Sequence, residues 1–273
     1  MRHMEITIRP ITADEIDRVP LRCWPDREAI ARLFTRQGTI GMGAWEQEKC
    51  VAQLHGYRIT EPDDLWEIWP DWNRPHWAEK VRTGEFHLPT PAWCHACFHV
   101  GRTRDTHHDE LLQRVLWLAY QSDWDIDRTY TDISKLDGVF LSRTEVEQMI
   151  KELQESGRRS FVTEAPEYRS QGIGTALCQE SVRWARDHDF AVVVGSGAPD
   201  GLFEFAVWAG NLPWTSYSNI GFEPVPVEST GAELPGWAQG NSPPQVMAAV
   251  RTALAGGRPT HEFHERPMVL KLK

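Results

Sequence analysis

No apolar run in the 273-residue chain approaches the roughly 18 residues that cross a bilayer, and no stretch near its start joins a basic segment, an apolar core and a cleavage site. A cytoplasmic protein with no membrane partner is the expectation. Basic residues are in deficit, 29 against 39 acidic ones for a net charge of −10, which argues against a nucleic-acid partner and for tolerance of cationic small molecules. Cysteine is scarce and odd in number. Cys23, Cys50, Cys94, Cys97 and Cys178 read as free thiols, because a chain of this size needs no covalent staples. Cys94 and Cys97 lack a second Cys-x-x-Cys, and a strand sends positions three apart to opposite faces, so neither a zinc site nor a redox pair is expected. A calcium loop lacks two of its parts. Asp123, Asp125 and Asp127 imitate its start, but Arg128 stands where glycine is required and Ser134 where glutamate is. No metal is assigned.

What the chain has is tryptophan, thirteen in all, and several of them (Trp66, Trp69, Trp72, Trp77, Trp93) lie outside the best helical stretches, as the lining of a large pocket or the stiffening of an inserted segment. It also has one stretch built to receive an anion. Arg169-Ser170-Gln171-Gly172-Ile173-Gly174-Thr175 leads into a helical pattern with Ile173, Leu177, Cys178, Ser181 and Ala185 on one face and Gln179, Glu180, Arg183, Arg186 and Asp187 on the other. Two glycines permit a tight turn and close approach, the helix start offers unpaired N–H groups, and Arg169 adds a full positive charge. A dinucleotide fingerprint would need a third glycine where Leu177 stands. A P-loop would need Gly-Lys-Ser/Thr where Gly174 is followed by Thr175 and Ala176.

The remaining chain alternates strands and helices. Glu5-Ile6-Thr7-Ile8-Arg9 reads as a strand, Arg27 to Phe34 as a helix, and Thr39 to Trp45 with Cys50 to Arg58 as a hairpin across the turn Glu46-Gln47-Glu48-Lys49. From Thr60 to Pro91 the periodicity disappears, which is read as an inserted lid or as a packing flap. Ala92 to Val100 is a buried strand ended by Gly101, with Trp93, His95, Cys97 and His99 on one face by alternation. A second insertion follows. Thr106 with Asp109 opens a helix striped by Leu111, Leu112, Val115, Leu116 and Ala119, and Ser142 with Glu145 is a capping box for another, closed by Gly157. Phe190 to Val194, apolar on both faces, reads as a central parallel strand. Asp200 is expected to cap a short helix through Leu202 to Trp208, and Asn211 with Pro213 to start another that ends before Gly221. Phe222 to Val227 and Arg266 to Leu272 read as strands, with a helix over Pro243 to Ala255 between them.

Arg169 to Gly174 resembles the acyl-CoA pyrophosphate loop of the GNAT superfamily of N-acyltransferases, whose pattern is Arg/Gln-x-x-Gly-x-Gly/Ala. Tyr217-Ser218-Asn219-Ile220-Gly221-Phe222 is similar to that family's Tyr-x-x-x-Gly-Phe segment. The likeness covers Glu5 to Arg58 loosely and Ala165 to Lys273 well. It implies an α/β (α+β) fold: a single GNAT-like domain over 1–273, with a central mixed, mostly antiparallel twisted sheet flanked by helices. Insertions are read at about 60–91 and 102–164, with a smaller one at about 229–261. Two strands are candidates to feed the loop, Ala92 to Val100 with Gly101 to Glu164 inserted after it, and Arg159 to Thr163; the first is the longer and more apolar.

The resemblance implies acetyl-CoA as co-substrate, held by Arg169, Ser170, Gln171, Gly172, Ile173, Gly174 and Thr175, and transfer of its acetyl group by direct attack of a primary amine. Tyr217 is the implied acid at the departing sulfur. His99 is the first candidate base, since an imidazole pKa near 6.5 suits the proton transfer, with Glu164 second and a water chain third. A small-molecule amine is the expected partner, a cationic one in keeping with the charge balance, with a peptide amine equally compatible and a homodimer kept open. Two other readings remain: a non-catalytic acyl-CoA sensor, and a metal-dependent enzyme using His95, Cys97, His99 and the His107-His108 pair.

Overall fold

Nine strands and eight helices account for most of the residues described by the computed structural model: 5–16, 18–19, 27–65, 76–104, 115–116, 118–119, 121–136, 140–155, 162–225, 233–240 and 242–272. In chain order they are β1 (Ile6–Pro10), α1 (Arg27–Gln37), β2 (Gly41–Glu46), β3 (Lys49–Ile59), α2 (His76–Arg82), β4 (Ala92–Val100), β5 (Arg102–Arg104), α3 (Ile126–Ile133), α4 (Arg143–Glu155), β6 (Val162–Glu164), α5 (Ile173–Asp187), β7 (Val192–Gly197), α6 (Phe203–Ala209), α7 (Trp214–Ile220), β8 (Glu223–Pro224), α8 (Pro244–Ala255) and β9 (Arg266–Lys271). Seven strands form one sheet in the order β1-β2-β3-β4-β7-β9-β8. Every pairing in it is antiparallel except β4 with β7. This is the mixed, mostly antiparallel sheet expected. No described helix is long and apolar enough to cross a membrane.

The predicted apolar stripe of α5 is buried along its whole length, from Ile173 through Leu177, Cys178 and Ser181 to Ala185, against Met42, Ala44, Leu54, Trp93 and Val193 of the sheet. Ser181 is a polar residue at the centre of that contact, and its burial is matched by two partners, Trp93 Nε1 at 2.8 Å and His95 Nε2 at 3.0 Å. Trp93 also packs on Trp184 and Phe190, with ring centroids at 4.7 and 5.4 Å. It therefore pins β4 to α5. Trp93→Ala should cost about 3–5 kcal/mol in urea denaturation, from the lost ring and one of the two hydrogen bonds of the buried Ser181 hydroxyl.

The opposite face of the sheet is covered by the segment after β3. Leu65, Trp77, Ala78, Val81, Phe86 and Leu88 pack on Tyr57, Ile59, Cys94, Val192 and Val194. The stretch expected to lack secondary structure thus contributes α2 and a substantial share of the core; Trp66, Trp69 and Trp72 lie outside the described residues. The second insertion has a core of its own, with Val115, Leu116 and Ala119 against Ile133, Val146, Ile150 and Leu153. Its capping box forms as expected: Ser142 N donates to Glu145 Oε2 at 2.7 Å and Glu145 N to Ser142 Oγ at 3.3 Å. Thr106 to Leu112, His107-His108 and Gly157 fall outside the described residues. Asp125, one of the three aspartates that imitate the start of a calcium loop, caps α3 by accepting from Arg128 N at 2.8 Å.

Four local readings are corrected. His55 pairs with Cys97 and Gly56 with His95, so Ala96 is an extra residue on β4. Such a bulge exchanges the two faces beyond it. Trp93 and His95 face α5 together with Phe98, whereas Cys97 and His99 turn to the opposite face, beside His55. The four residues expected on one face are divided two and two. For the same reason Cys94 and Cys97 come onto one face, yet both remain free thiols. Asp200 caps α7 rather than α6, accepting from Thr215 N at 3.3 Å and Oγ1 at 2.8 Å. The hairpin turn is shorter than its four polar residues suggest, because Gln47 adopts φ 55° and lets β2 and β3 close across two residues. The strand expected over Phe190 to Val194 begins at Val192 and runs to Gly197.

Candidate active site

Beyond β4 the chain leaves the fold at Gly101 and returns at Ala165, whose N–H donates to the Gly101 carbonyl at 2.8 Å. The intervening segment begins and ends as the antiparallel pair β5 and β6, with Arg102 opposite Glu164. Of the two strands that could feed the phosphate loop, β4 is the one in the main sheet; Val162 and Thr163 belong to the separate two-stranded pair. A 3-10 turn, Pro166–Tyr168, then leads into the loop and is fastened to the β2–β3 hairpin by Tyr168 Oη, which donates to Glu46 at 2.6 Å.

Within the loop Ser170 and Gly172 both take left-handed backbone, φ 57° and 76°. A Cβ added at Gly172 would meet no atom within 4 Å, so the space beside this turn is open. Ile173, Gly174 and Thr175 form the first turn of α5, and their N–H groups have no acceptor further back in the helix. Arg169 precedes them in the loop, and a second guanidinium, Arg102, lies within electrostatic reach of it. Arg169 Nε lies 3.5 Å from the Val100 carbonyl, while Arg102 donates through Nη1 to His99 Nδ1 at 2.9 Å and through Nη2 toward the Val207 carbonyl at 3.5 Å. Burial holds both below the ordinary arginine value, and Arg102 pushes Arg169 further down. An anion between the turn and these side chains would relieve that repulsion.

Next to the loop the sheet opens. The parallel pairing of β4 with β7 runs from Ala92 opposite Val192 to His95 opposite Gly195 and then stops, although β4 continues to Val100. The segment after α6 enters this opening: Phe98 N donates to the Gly210 carbonyl at 2.5 Å, Ala198 N to the Leu212 carbonyl at 2.7 Å, and Trp214 N back to Ala198 at 3.0 Å. At the apex sits Tyr217. Its ring is buried, stacked on His95 at 6.1 Å and set edge-on to Phe98 and Phe222. Its hydroxyl lies over the Cα of Gly195, so close that a Cβ there would stand 2.3 Å from Oη. Among the described residues that hydroxyl makes no hydrogen bond. Burial, with Cys178, Cys94 and Glu265 nearby, pushes the phenol well above its ordinary value and keeps it protonated.

The two histidines of β4 differ. His95 is enclosed between Ser181 and Tyr217, and burial pushes it down to about 3, which makes it a neutral packing residue. His99 is also pushed down, chiefly by burial. Its Nδ1 accepts from Arg102, so in the neutral ring the proton resides on Nε2 and no lone pair is left to take another. Glu164 pairs along the backbone with Arg102 at the foot of the insertion. Three residues that sequence reasoning did not single out stand here: Arg102; Glu265, the residue before β9; and Ser196 of β7. The bulge separates His95 from Cys97 and His99, so these three do not converge as a ligand set.

No family model and no curated protein matches the chain. Among solved structures it is similar to an agmatine N-acetyltransferase, at 11% identity over 97% of this chain and 99% of that one, with a TM-score of 0.38. It is similar also to a Drosophila melanogaster polyamine N-acetyltransferase that forms N-acetylagmatine, at 10% identity over 98% and 100% with a TM-score of 0.37. A third is a GNAT-like decarboxylase in complex with isobutyryl-CoA, at 12% identity over 98% and 100% with a TM-score of 0.35. In strand order and direction the chain has the mixed, mostly antiparallel α/β sheet that the resemblance of its sequence to the GNAT superfamily implies.

Proposed function

We propose that the chain is an N-acetyltransferase that moves the acetyl group of acetyl-CoA to a primary amine by direct attack. The observation that carries this reading is the juxtaposition of the double left-handed turn at the head of α5 with the opening between β4 and β7, where Tyr217 Oη stands over Gly195. The turn, from Ser170 to Thr175, holds the pyrophosphate through main-chain N–H groups, with Arg169 and Arg102 supplying charge. A thioester bound there brings an activated acyl carbon to the opening. Tyr217 donates a hydrogen bond to the departing sulfur. A phenol held well above its ordinary value is a weaker acid than a thiol, so its contribution is to stabilise developing negative charge rather than to surrender its proton outright.

Incubation with acetyl-CoA and a panel of primary amines, alkyl and peptide, should release free thiol at a rate that depends on the amine, and mass spectrometry should show the N-acetylated product. Retained binding of acetyl-CoA with no thiol release above the amine-free rate for any amine would sink the transferase reading and leave the sensor.

A further inference from the structure

We infer that Glu265, Ser196 and Asn211 receive the acceptor amine as its ammonium ion, on the face of the sheet turned away from α5, and that Glu265 accepts the proton the nitrogen must shed before it attacks. This rests on the acyl-transfer reading of the same opening. Strand alternation sets the face. Met268 and Leu270 of β9 pack into the core beneath α5, while Val269 packs on the other side, and Pro267 and Glu265 continue that second set. Ser196 lies directly opposite Pro267 and shares its face. Tyr217 and its hydroxyl stand on the α5 side of Gly195. The amine and the departing sulfur are thus served from opposite faces of one opening.

Ser196 Oγ is buried and has no hydrogen-bond partner among the described residues, although it stands near enough to the Glu265 carboxyl to draw its pKa down. A buried hydroxyl left in this way costs free energy until something supplies a donor or an acceptor. Asn211 Nδ2 donates to Glu265 Oε1, which fixes the amide and leaves Asn211 Oδ1 able to accept. An alkylammonium ion carries three N–H donors, and a Glu265 oxygen, Ser196 Oγ and Asn211 Oδ1 offer three acceptors. Glu265 keeps part of its surface open, so a ligand reaches it. Burial pushes its carboxyl up to about 7, against a smaller opposing pull from Ser196, so both protonation states are accessible near neutral pH. Among the described residues Tyr217, across the opening, also bears on it and stays protonated.

The protons balance. The ammonium gives its first proton to the Glu265 carboxylate, and the freed lone pair forms the bond to the acyl carbon. The carbon–sulfur bond breaks with its electron pair on sulfur. The second proton of the nitrogen then ends on that sulfur as thiol, and Glu265 returns its own to solvent.

The probe is n-butylamine with acetyl-CoA. In the wild-type protein kcat/KM should rise with pH through about 7, because Glu265 must be ionised to accept a proton. Glu265→Gln keeps an oxygen for Asn211 but cannot take the proton. It should lower kcat/KM on the order of 100-fold and remove that limb, with acetyl-CoA affinity unchanged within about threefold. Ser196→Ala, which removes a hydroxyl with no hydrogen-bond partner among the described residues, should raise KM for butylamine severalfold and leave kcat near wild type. A measurement that needs no turnover accompanies these: the carbon-13 titration of the Glu265 carboxyl in protein free of acetyl-CoA. Its midpoint should fall on adding butylammonium chloride and stay in place on adding butanol, since a neighbouring cation favours the carboxylate. An unmoved midpoint overturns the inference, as does a Glu265→Gln protein that keeps the wild-type limb. A wild-type protein that fails to bind acetyl-CoA overturns the acyl-transfer reading instead, and the butylammonium titration then decides the ammonium site by itself.

Discussion

Gly172→Glu should weaken acetyl-CoA binding on the order of 100-fold or more, read by calorimetry, while the protein still unfolds cooperatively. Two effects act together. Gly172 sits at φ 76°, where an L side chain adds strain of about 1 kcal/mol. The larger effect is electrostatic. A Cβ at this position meets no protein atom within 4 Å, so the new carboxylate has room to enter the region proposed for the pyrophosphate. A negative charge at the head of α5 also suits the helix dipole and the adjoining Arg169, so the variant carries its own competing anion without a large loss of stability. Gly172→Ala separates the two effects, since it has the strain without the charge and should cost only a few-fold in affinity. An unchanged dissociation constant for the glutamate variant would remove the loop from the cofactor site altogether.

Tyr217→Phe should lower kcat on the order of 100-fold and leave acetyl-CoA affinity within about threefold of wild type. The hydroxyl has no hydrogen bond to lose among the described residues, so its removal breaks no polar contact there. Thermal unfolding should accordingly occur at the same temperature or slightly higher. That pairing of full stability with lost turnover is what distinguishes a hydroxyl kept for chemistry from one kept for packing. A variant with wild-type kcat would assign Tyr217 to the core, where its ring already touches His95, Phe98 and Phe222.

What the sequence shows of this site is what lies within a few residues of itself. Arg169 to Thr175 is a turn followed by a helix, and Tyr217 to Phe222 is the end of a helix followed by a glycine cap; both are local and both are legible. The apolar face of α5 is legible for the same reason, through its period. The facing of Cys97 and His99 is not, because the extra residue at Ala96 is defined only by what β3 offers opposite it. Glu265 is invisible for a related reason. A carboxylate before a strand is ordinary, and its character comes from Asn211 and Ser196, which are far from it in sequence. Asp200 is the opposite case: its capping role was expressed, but on the helix brought near it by the fold, not on the one that follows it in the chain. The segment after β3 carries a helix and a core contribution that its irregular pattern hid, since Trp77, Phe86 and Leu88 are spaced for the sheet they cover rather than for a period of their own.

The neck at Gly101 and Ala165 gives the second insertion the properties of a cassette. Its two ends meet through the 2.8 Å hydrogen bond from Ala165 to Gly101 and the β5–β6 pair that continues from it, and its apolar residues pack on one another. A shorter or unrelated segment whose termini come together in the same way can be spliced at that joint without changing the register of any strand in the main sheet. The chain can therefore vary the far part of the insertion, beyond the β5–β6 pair that carries Arg102, while the turn that follows keeps its place.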